Sequence, residues 1–218
     1  MTSMQGFLKL ILICISPVIY AQSTNDPEAK VILDGISAKF KTHKTVQAVF
    51  NYKVENVSGK ALSTKKGTVK MKGAKYYIVF GEQEIFCDGQ IVWNYDRLAN
   101  EVTISSLDAG SSAITPQKLF TNFYDKDFFY KLNGSKKIAG KTLLEIEMTP
   151  TDKSKPFHKV YLLVDKPSKT IYSTRVLETG GNRYSYTVSS MKTDDKIPET
   201  QFTFNKSKYP GVEVIDLR

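Results

Sequence analysis

From Thr45 onward the apolar residues of this chain recur at every second position, in short runs parted by turn residues, almost to its end. That is the period of a β-strand with one buried face. Val46, Ala48, Phe50, Tyr52 and Val54 alternate with Gln47, Asn51 and Lys53, and further runs follow at 67–72, 75–80, 84–87, 90–95 and 101–104. Nothing between them is long enough for a crossover helix, so neighbouring strands must pair antiparallel. Asp88-Gly89 is the strongest hairpin signal in the chain, and Ser58-Gly59 marks a looser turn. After an interruption the alternation resumes at 135–138, 141–149, 157–165, 170–179, 183–191 and 200–204, punctuated by Asn133-Gly134, Ala139-Gly140, Pro167-Ser168 and Gly180-Gly181-Asn182. No longer period recurs, which excludes a repeat array.

Two segments have the helical period instead. Asp26-Pro27-Glu28 is a helix start: an Asp cap, Pro at the first helical position, then an acid favoured by the helix dipole. Ala29, Ile32, Leu33, Ile36 and Phe40 form its apolar face, with Lys30, Asp34, Ser37 and Lys41 on a wetter side. Gly35 weakens the centre and predicts close packing there. The second helix opens at Thr115-Pro116, after a Gly, Ser and Ala-rich stretch, with Leu119, Phe120 and Phe123 on one side. Residues 124–130 then read as an aromatic loop.

The architecture that follows is mainly β (α+β): about ten or eleven antiparallel strands in one sheet, wide enough to curl, with helices across its concave face. Aromatic residues make up 11% of the chain, and large rings leave gaps where two curved layers meet. A loosely filled apolar hollow is expected.

Residues 1–21 read as a signal peptide. Lys9 supplies the charge, residues 10–15 the apolar run, Pro17 the break, and Ile19-Tyr20-Ala21 the cleavage site. The run is too short to span a bilayer, and Ile13 stands where a lipoprotein cysteine at Cys14 would need a small residue. Residues 22–218 then form one domain, with Cys87 its sole cysteine and a small buried strand residue. The fold has no internal disulfide to lean on.

Chemistry is sparse. The chain has no G-x-S-x-G elbow, P-loop, H-E-x-x-H or G-x-G-x-x-G. His43 and His158 are isolated and read as surface residues, Glu145 and Glu147 as the solvated face of a half-buried strand, and Asp125 and Asp127 as solvated. An enzyme is not expected, nor is a cofactor or metal. The net charge of +9 is scattered along the sequence, which favours an anionic membrane surface or acidic protein partner over nucleic acid.

Three stretches in order, 46–53, 67–72 and 86–96, the last with Asp88-Gly89 followed by Trp93 and Tyr95, resemble the LolA family of periplasmic lipoprotein carriers. Phe202-Thr-Phe204 and residues 210–216 are similar to that family's closing strand and tail. The resemblance implies an incomplete antiparallel β-barrel whose helices form a lid over a hydrophobic cavity. In that reading a monomer in the periplasm carries acylated lipoproteins from an inner-membrane lipoprotein-releasing transporter to an outer-membrane receptor or membrane surface. Val46, Ala48, Phe50, Tyr52, Val69, Met71, Tyr76, Ile78, Ile91, Trp93 and Tyr95 would line the cavity, and Ile32, Ile36, Phe40, Leu119, Phe120 and Phe123 would face it from the lid. Plain core packing is the alternative for each, and a register error of one residue would exchange the list for its neighbours. The family's Arg-Pro pair is missing: Gly73-Ala74 stands in its place, and Lys72 or Lys75, without the forked donors of Arg, is the nearest substitute for a lid bond. Rival readings are a binder of another lipid or hydrophobic ligand on the same scaffold, and a secreted hydrolase. An outer-membrane barrel has no place for the polar interruption or the amphipathic helix.

Overall fold

The computed structural model describes residues 25–107 and 124–218. Helix α1 (Pro27–Lys41) starts as its sequence dictates: the Asp26 carboxylate accepts from the backbone N–H groups of Glu28 (2.8 Å) and Ala29 (3.3 Å). Lys39 and Lys41 stand in its last turn, where they complement the dipole.

Among the described residues twelve strands follow: β1 (Val46–Glu55), β2 (Ala61–Lys72), β3 (Lys75–Phe80), β4 (Gln83–Cys87), β5 (Ile91–Asp96), β6 (Glu101–Ser106), then, after a single helical turn α2 (Tyr124–Asp127), β7 (Phe128–Ile138), β8 (Lys141–Pro150), β9 (Phe157–Asp165), β10 (Thr170–Glu178), β11 (Arg183–Thr193) and β12 (Glu213–Asp216). They make one open sheet in the order β12-β6-β5-β4-β3-β2-β1-β11-β10-β9-β8-β7. Consecutive strands form two meanders, joined by the antiparallel pairing of β1 with β11. Only β12 runs parallel to its neighbour, β6. The two ends of the sheet do not meet, so the barrel is incomplete.

Cross-strand partners share a face, so the register sorts every side chain. One face, termed inner here, carries Val46, Met71, Tyr76, Cys87 and Val92 in one row and Ala48, Val69, Ile78 and Ile85 in the next. It continues through Val188, Tyr186 and Tyr184 of β11 to Leu162, Ile146 and Met148. Helix α1 covers the second meander's part of this face: Ala29, Ile32, Leu33 and Ile36 join Phe128, Tyr130, Ile146, Met148, Val160, Leu162 and Val164 in one buried cluster. On the other face the chain after β11 folds back across the first meander. There Phe204, Tyr209 and Val212 pack on Trp93, Tyr95 and Val102.

The open edge at β7 is fastened where it meets the helix. Asn25 accepts from the Tyr130 N–H (3.0 Å), Asp26 accepts from the Leu132 N–H (2.9 Å), and the Asp26 N–H donates to the Tyr130 carbonyl (3.1 Å). Tyr124 donates its hydroxyl to Asp34 (2.8 Å). These bonds occupy edge groups that would otherwise invite another strand.

Four expectations change. Residues 200–204 are not a strand; Glu199–Phe202 is a 3-10 turn that drives Phe202 fully into the interior. The aromatic loop is instead α2 and the start of β7, because Phe128 and Tyr130 alternate into the core beneath α1. Asn133-Gly134 does not end a strand but forms a bulge within β7, with Gly134 at φ +95°. Among the described residues, an added Cβ at Gly35 would meet only Cδ of Lys169, at 3.8 Å, so none of them packs tightly against that glycine. The helix expected from Thr115 lies outside the described residues, as does the segment 1–21.

Candidate functional site

Where β1, β2, β3 and β11 meet, the inner face leaves α1 behind and becomes aromatic. Phe50 stacks with Phe80 (6.1 Å between ring centroids), Tyr52 meets Phe80 edge-on (5.1 Å), and Tyr186 and Tyr184 lie 4.9 and 5.9 Å from Tyr52. The arrangement follows from register: Phe50 opposes Gly67, Tyr52 opposes Tyr186, and Val54 opposes Tyr184. Gly67 is needed because the Phe50 ring lies across it; a Cβ there would stand 2.3 Å from the ring. The rings are only half-buried, and Tyr186 is 38% exposed. Ile78, Ile85 and Val188 extend the surface toward the buried Val46, Ala48, Val69, Met71 and Tyr76, and Phe40, at the end of α1, closes that side.

Electrostatically the patch is quiet. Burial, then the neighbouring Tyr186, Tyr184 and Glu178, push the Tyr52 hydroxyl up to about 12, so it stays neutral at physiological pH. Tyr184 donates to Glu178 (2.9 Å), and the Lys65 ammonium stands over the Phe80 ring (5.7 Å). An apolar trough with neutral hydroxyls and one cation at its rim can bind grease; it offers no nucleophile with an activating base.

The residues singled out from the sequence divide. Val46, Ala48, Phe50, Tyr52, Val69, Met71, Tyr76 and Ile78 share the inner face. Ile91, Trp93 and Tyr95 do not: β5 runs one residue out of the expected phase and turns Val92 inward, opposite Cys87. The physical reason is the returning C-terminal segment, which buries the outer face of β5 as well, so aromatic size no longer marks the inner side. Tyr95 packs on Tyr209 (4.5 Å) and Phe204 (5.9 Å). Ile32 and Ile36 are buried against the second meander, whereas Phe40 alone of the α1 residues joins the first-meander cluster. Leu119, Phe120 and Phe123 lie outside the described residues. Phe80, Tyr184 and Tyr186 were not singled out; the strong aromatic alternation of β11 is the signal that could have found them.

Polar groups elsewhere are mostly spent on structure. Glu84 is buried on the outer face. Burial would raise its carboxyl, but hydrogen bonds from Tyr77 (2.6 Å), Arg97 (2.8 Å) and Tyr209 (3.2 Å) outweigh that and hold it below the usual carboxylate range. Lys72 and Lys75, the substitutes considered for a lid arginine, both pair with Glu199 of the 3-10 turn, and Lys72 and Lys75 together hold that carboxyl down to about 2. They tie the C-terminal segment and reach no part of α1. His43 is mostly covered and bonds Asp194 (2.9 Å), while His158 is exposed. Glu147 is buried rather than solvated, paired with Lys159 and Asn133. No trio of His, Cys, Asp or Glu could hold a metal among the described residues, and no described helix is long and apolar enough to cross a membrane.

Comparison with known proteins points the same way. An outer-membrane lipoprotein carrier protein of Legionella pneumophila is 26% identical over 62% of this chain, and the match spans 63% of that protein's length. One from Cupriavidus pinatubonensis is 27% identical over 72% of this chain and 69% of its own. An uncharacterized conserved protein from Thermus thermophilus shares the fold, with a TM-score of 0.60 at 15% identity over 87% of this chain and 99% of that one. Residues 41–205, most of the chain, match the family model described as outer membrane lipoprotein carrier protein LolA, and the chain belongs to the LolA family.

Proposed function

We propose that this protein is a carrier of lipoproteins that takes their acyl chains onto the inner face. In this reading Phe50, Tyr52, Phe80, Tyr184 and Tyr186 receive the chains, and Ile78 and Val188 continue the path toward Phe40. The half-buried aromatic trough carries the reading, because a monomeric domain has little reason to leave five rings partly wet at the centre of its sheet. Each methylene removed from water contributes about 0.8 kcal/mol. Shielding even part of a lipid anchor therefore opposes its aggregation while still allowing release.

The carrier works in the periplasm, after residues 1–21 direct export and are removed. It receives acylated lipoproteins from a releasing transporter in the inner membrane and yields them to a receptor or membrane surface at the outer one. The family match and its relatives' names support this reading. No catalytic step is involved.

The test is native mass spectrometry of the protein purified from its own cell envelope, beside the Phe50→Glu variant with its fold checked by circular dichroism. Bound acylated peptide on the wild type, and none on the variant, is expected. A free lipid in place of the peptide, or undiminished capture by the variant, would overturn the assignment.

A further inference from the structure

The two layers over the sheet lie on a diagonal. Helix α1 covers the inner face of the second meander, and the C-terminal segment covers the outer face of the first. On the outer face of β7 to β11 there is a groove of about 390 Å³. Its floor is apolar, from Ile138, Leu163 and Leu177, with Tyr161 beside them. Its charged lining is three cations, Lys136, Arg175 and Arg183, against one carboxylate, Glu145.

The rim charges are unequally spent. Lys136 pairs with Glu145. Arg183 uses one nitrogen on the Val57 carbonyl (3.0 Å), and Glu55, opposite it in register, is already bonded by Lys53 (2.7 Å). Arg175 is exposed and makes no hydrogen bond or close ion pair among the described residues, though with Arg183 it adds at longer range to the pull of Lys53 that holds the Glu55 carboxyl low. Arg175 opposes Ser185 and Leu177 opposes Arg183, so the two guanidinium groups come from diagonal positions of adjacent strands, within reach of one ligand. Ser185 between them buries its hydroxyl oxygen without a hydrogen-bond partner among the described residues.

We infer that this groove binds the phosphate headgroup of an anionic phospholipid, giving the protein a membrane-docking side opposite its acyl trough. Guanidinium forks match phosphate oxygens two by two. The leucine and isoleucine floor suits the glycerol and first methylenes beneath the phosphate, a use that a small hydrophilic anion would not make of it. The groove's volume lies near the small end of single-ligand sites, about 300–1,000 Å³, which fits one headgroup better than a run of peptide. Because groove and trough are on opposite faces, both can be filled at once, and this inference stands whether or not the trough carries lipoproteins.

The experiment is co-sedimentation of the full chain with phosphatidylcholine vesicles, with and without phosphatidylglycerol, at low salt. Binding only when phosphatidylglycerol is present is expected, falling roughly fivefold for Arg175→Ala or Arg183→Ala and about twenty-five-fold for both. Lys206→Ala/Lys208→Ala, which removes the same charge from an exposed turn of the other half, should leave binding nearly unchanged. Acyl capture by the arginine variants should also be unchanged, which separates failure here from failure of the trough. Equal losses in the lysine control would reveal diffuse attraction and overturn the site. So would retention by the double arginine variant, an absence of vesicle binding by the wild type, or binding of free glycerol phosphate without any to vesicles.

Discussion

Gly67→Ala tests whether the Phe50 ring sits where the trough requires it. The ring lies so closely over Gly67 that an added Cβ would stand 2.3, 2.7 and 2.9 Å from three of its carbons. To reach the 3.4 Å at which ordinary contact begins, the ring must give by about an ångström. It is half-buried and has room to swing, so the backbone can stay in place. Overpacking of this kind costs about 1–3 kcal/mol, and disturbing the Phe50–Phe80 pair about 0.5–1.5 kcal/mol more. Against this, Gly67 does not have the positive φ that favours glycine, so alanine recovers about 0.4–1 kcal/mol of unfolded-chain entropy. A net loss of about 2 kcal/mol results.

The same substitution in a Phe50→Ala background meets no ring and keeps only the entropic gain. Gly67→Ala should therefore turn mildly stabilising there, giving a coupling of about 3 kcal/mol, well above the additivity error for independent sites. Urea denaturation of the four proteins of the cycle measures it. Capture of a fluorescent fatty acid should weaken in Gly67→Ala, although the new methyl group is no less apolar than what it replaces. If the two changes prove additive within about 0.5 kcal/mol, the ring does not rest on Gly67 and the trough is shaped differently.

Trp93 supplies a test of strand phase: a brominated fatty acid in the trough should leave its fluorescence unquenched, since it faces the C-terminal segment, whereas Phe50→Trp in a Trp93→Phe background should be quenched. Strong quenching of Trp93 itself would place β5 in the opposite register or the ligand on the other face. Glu84 gives a pH signature. Its folded-state acidity is held below the usual value, so its stabilisation is full above the unfolded pKa of about 4.3 and fades as pH falls through the lower folded value. Glu84→Gln should cost about 2 kcal/mol at neutral pH in urea melts, and that gap should close as acidification protonates the carboxylate below its unfolded range; a gap independent of pH would mean the carboxylate is not the stabilising form.

The sequence carries the first meander's inner face and the helix cap almost whole, because both rest on local chemistry: the alternation of Val46 to Val54, and Asp26 before Pro27. β3 and β9 have the bounds expected of them. Errors arise where distant chain supplies the environment. The phase of β5 is hidden because Val92 and Trp93 are both apolar, and only the C-terminal segment decides which large ring it covers. Phe202 lies within an apparently alternating run but enters the core from a 3-10 turn. The trough's second wall, Tyr184 and Tyr186, becomes part of a site only through the β1–β11 pairing, which joins segments more than a hundred residues apart and has no local signal.

That closure also bears on what moves when a ligand arrives. If α1 were the lid, opening it would expose Ile32, Leu33 and Ile36 and break the bonds from Asn25, Asp26 and Asp34 to β7 and Tyr124. Exposing three large aliphatic side chains alone costs about 4–9 kcal/mol, which the burial of about five to eleven guest methylenes would be needed to offset. The wet rings lie elsewhere, on β1, β3 and β11, where a tail can be laid down without lifting the body of the helix. Only Phe40, the last residue but one of the helix, joins the first-meander cluster. Under the carrier reading proposed above, this argues for a fixed helix with a yielding tip, the aliphatic half of the inner face serving as core and the aromatic half receiving the guest.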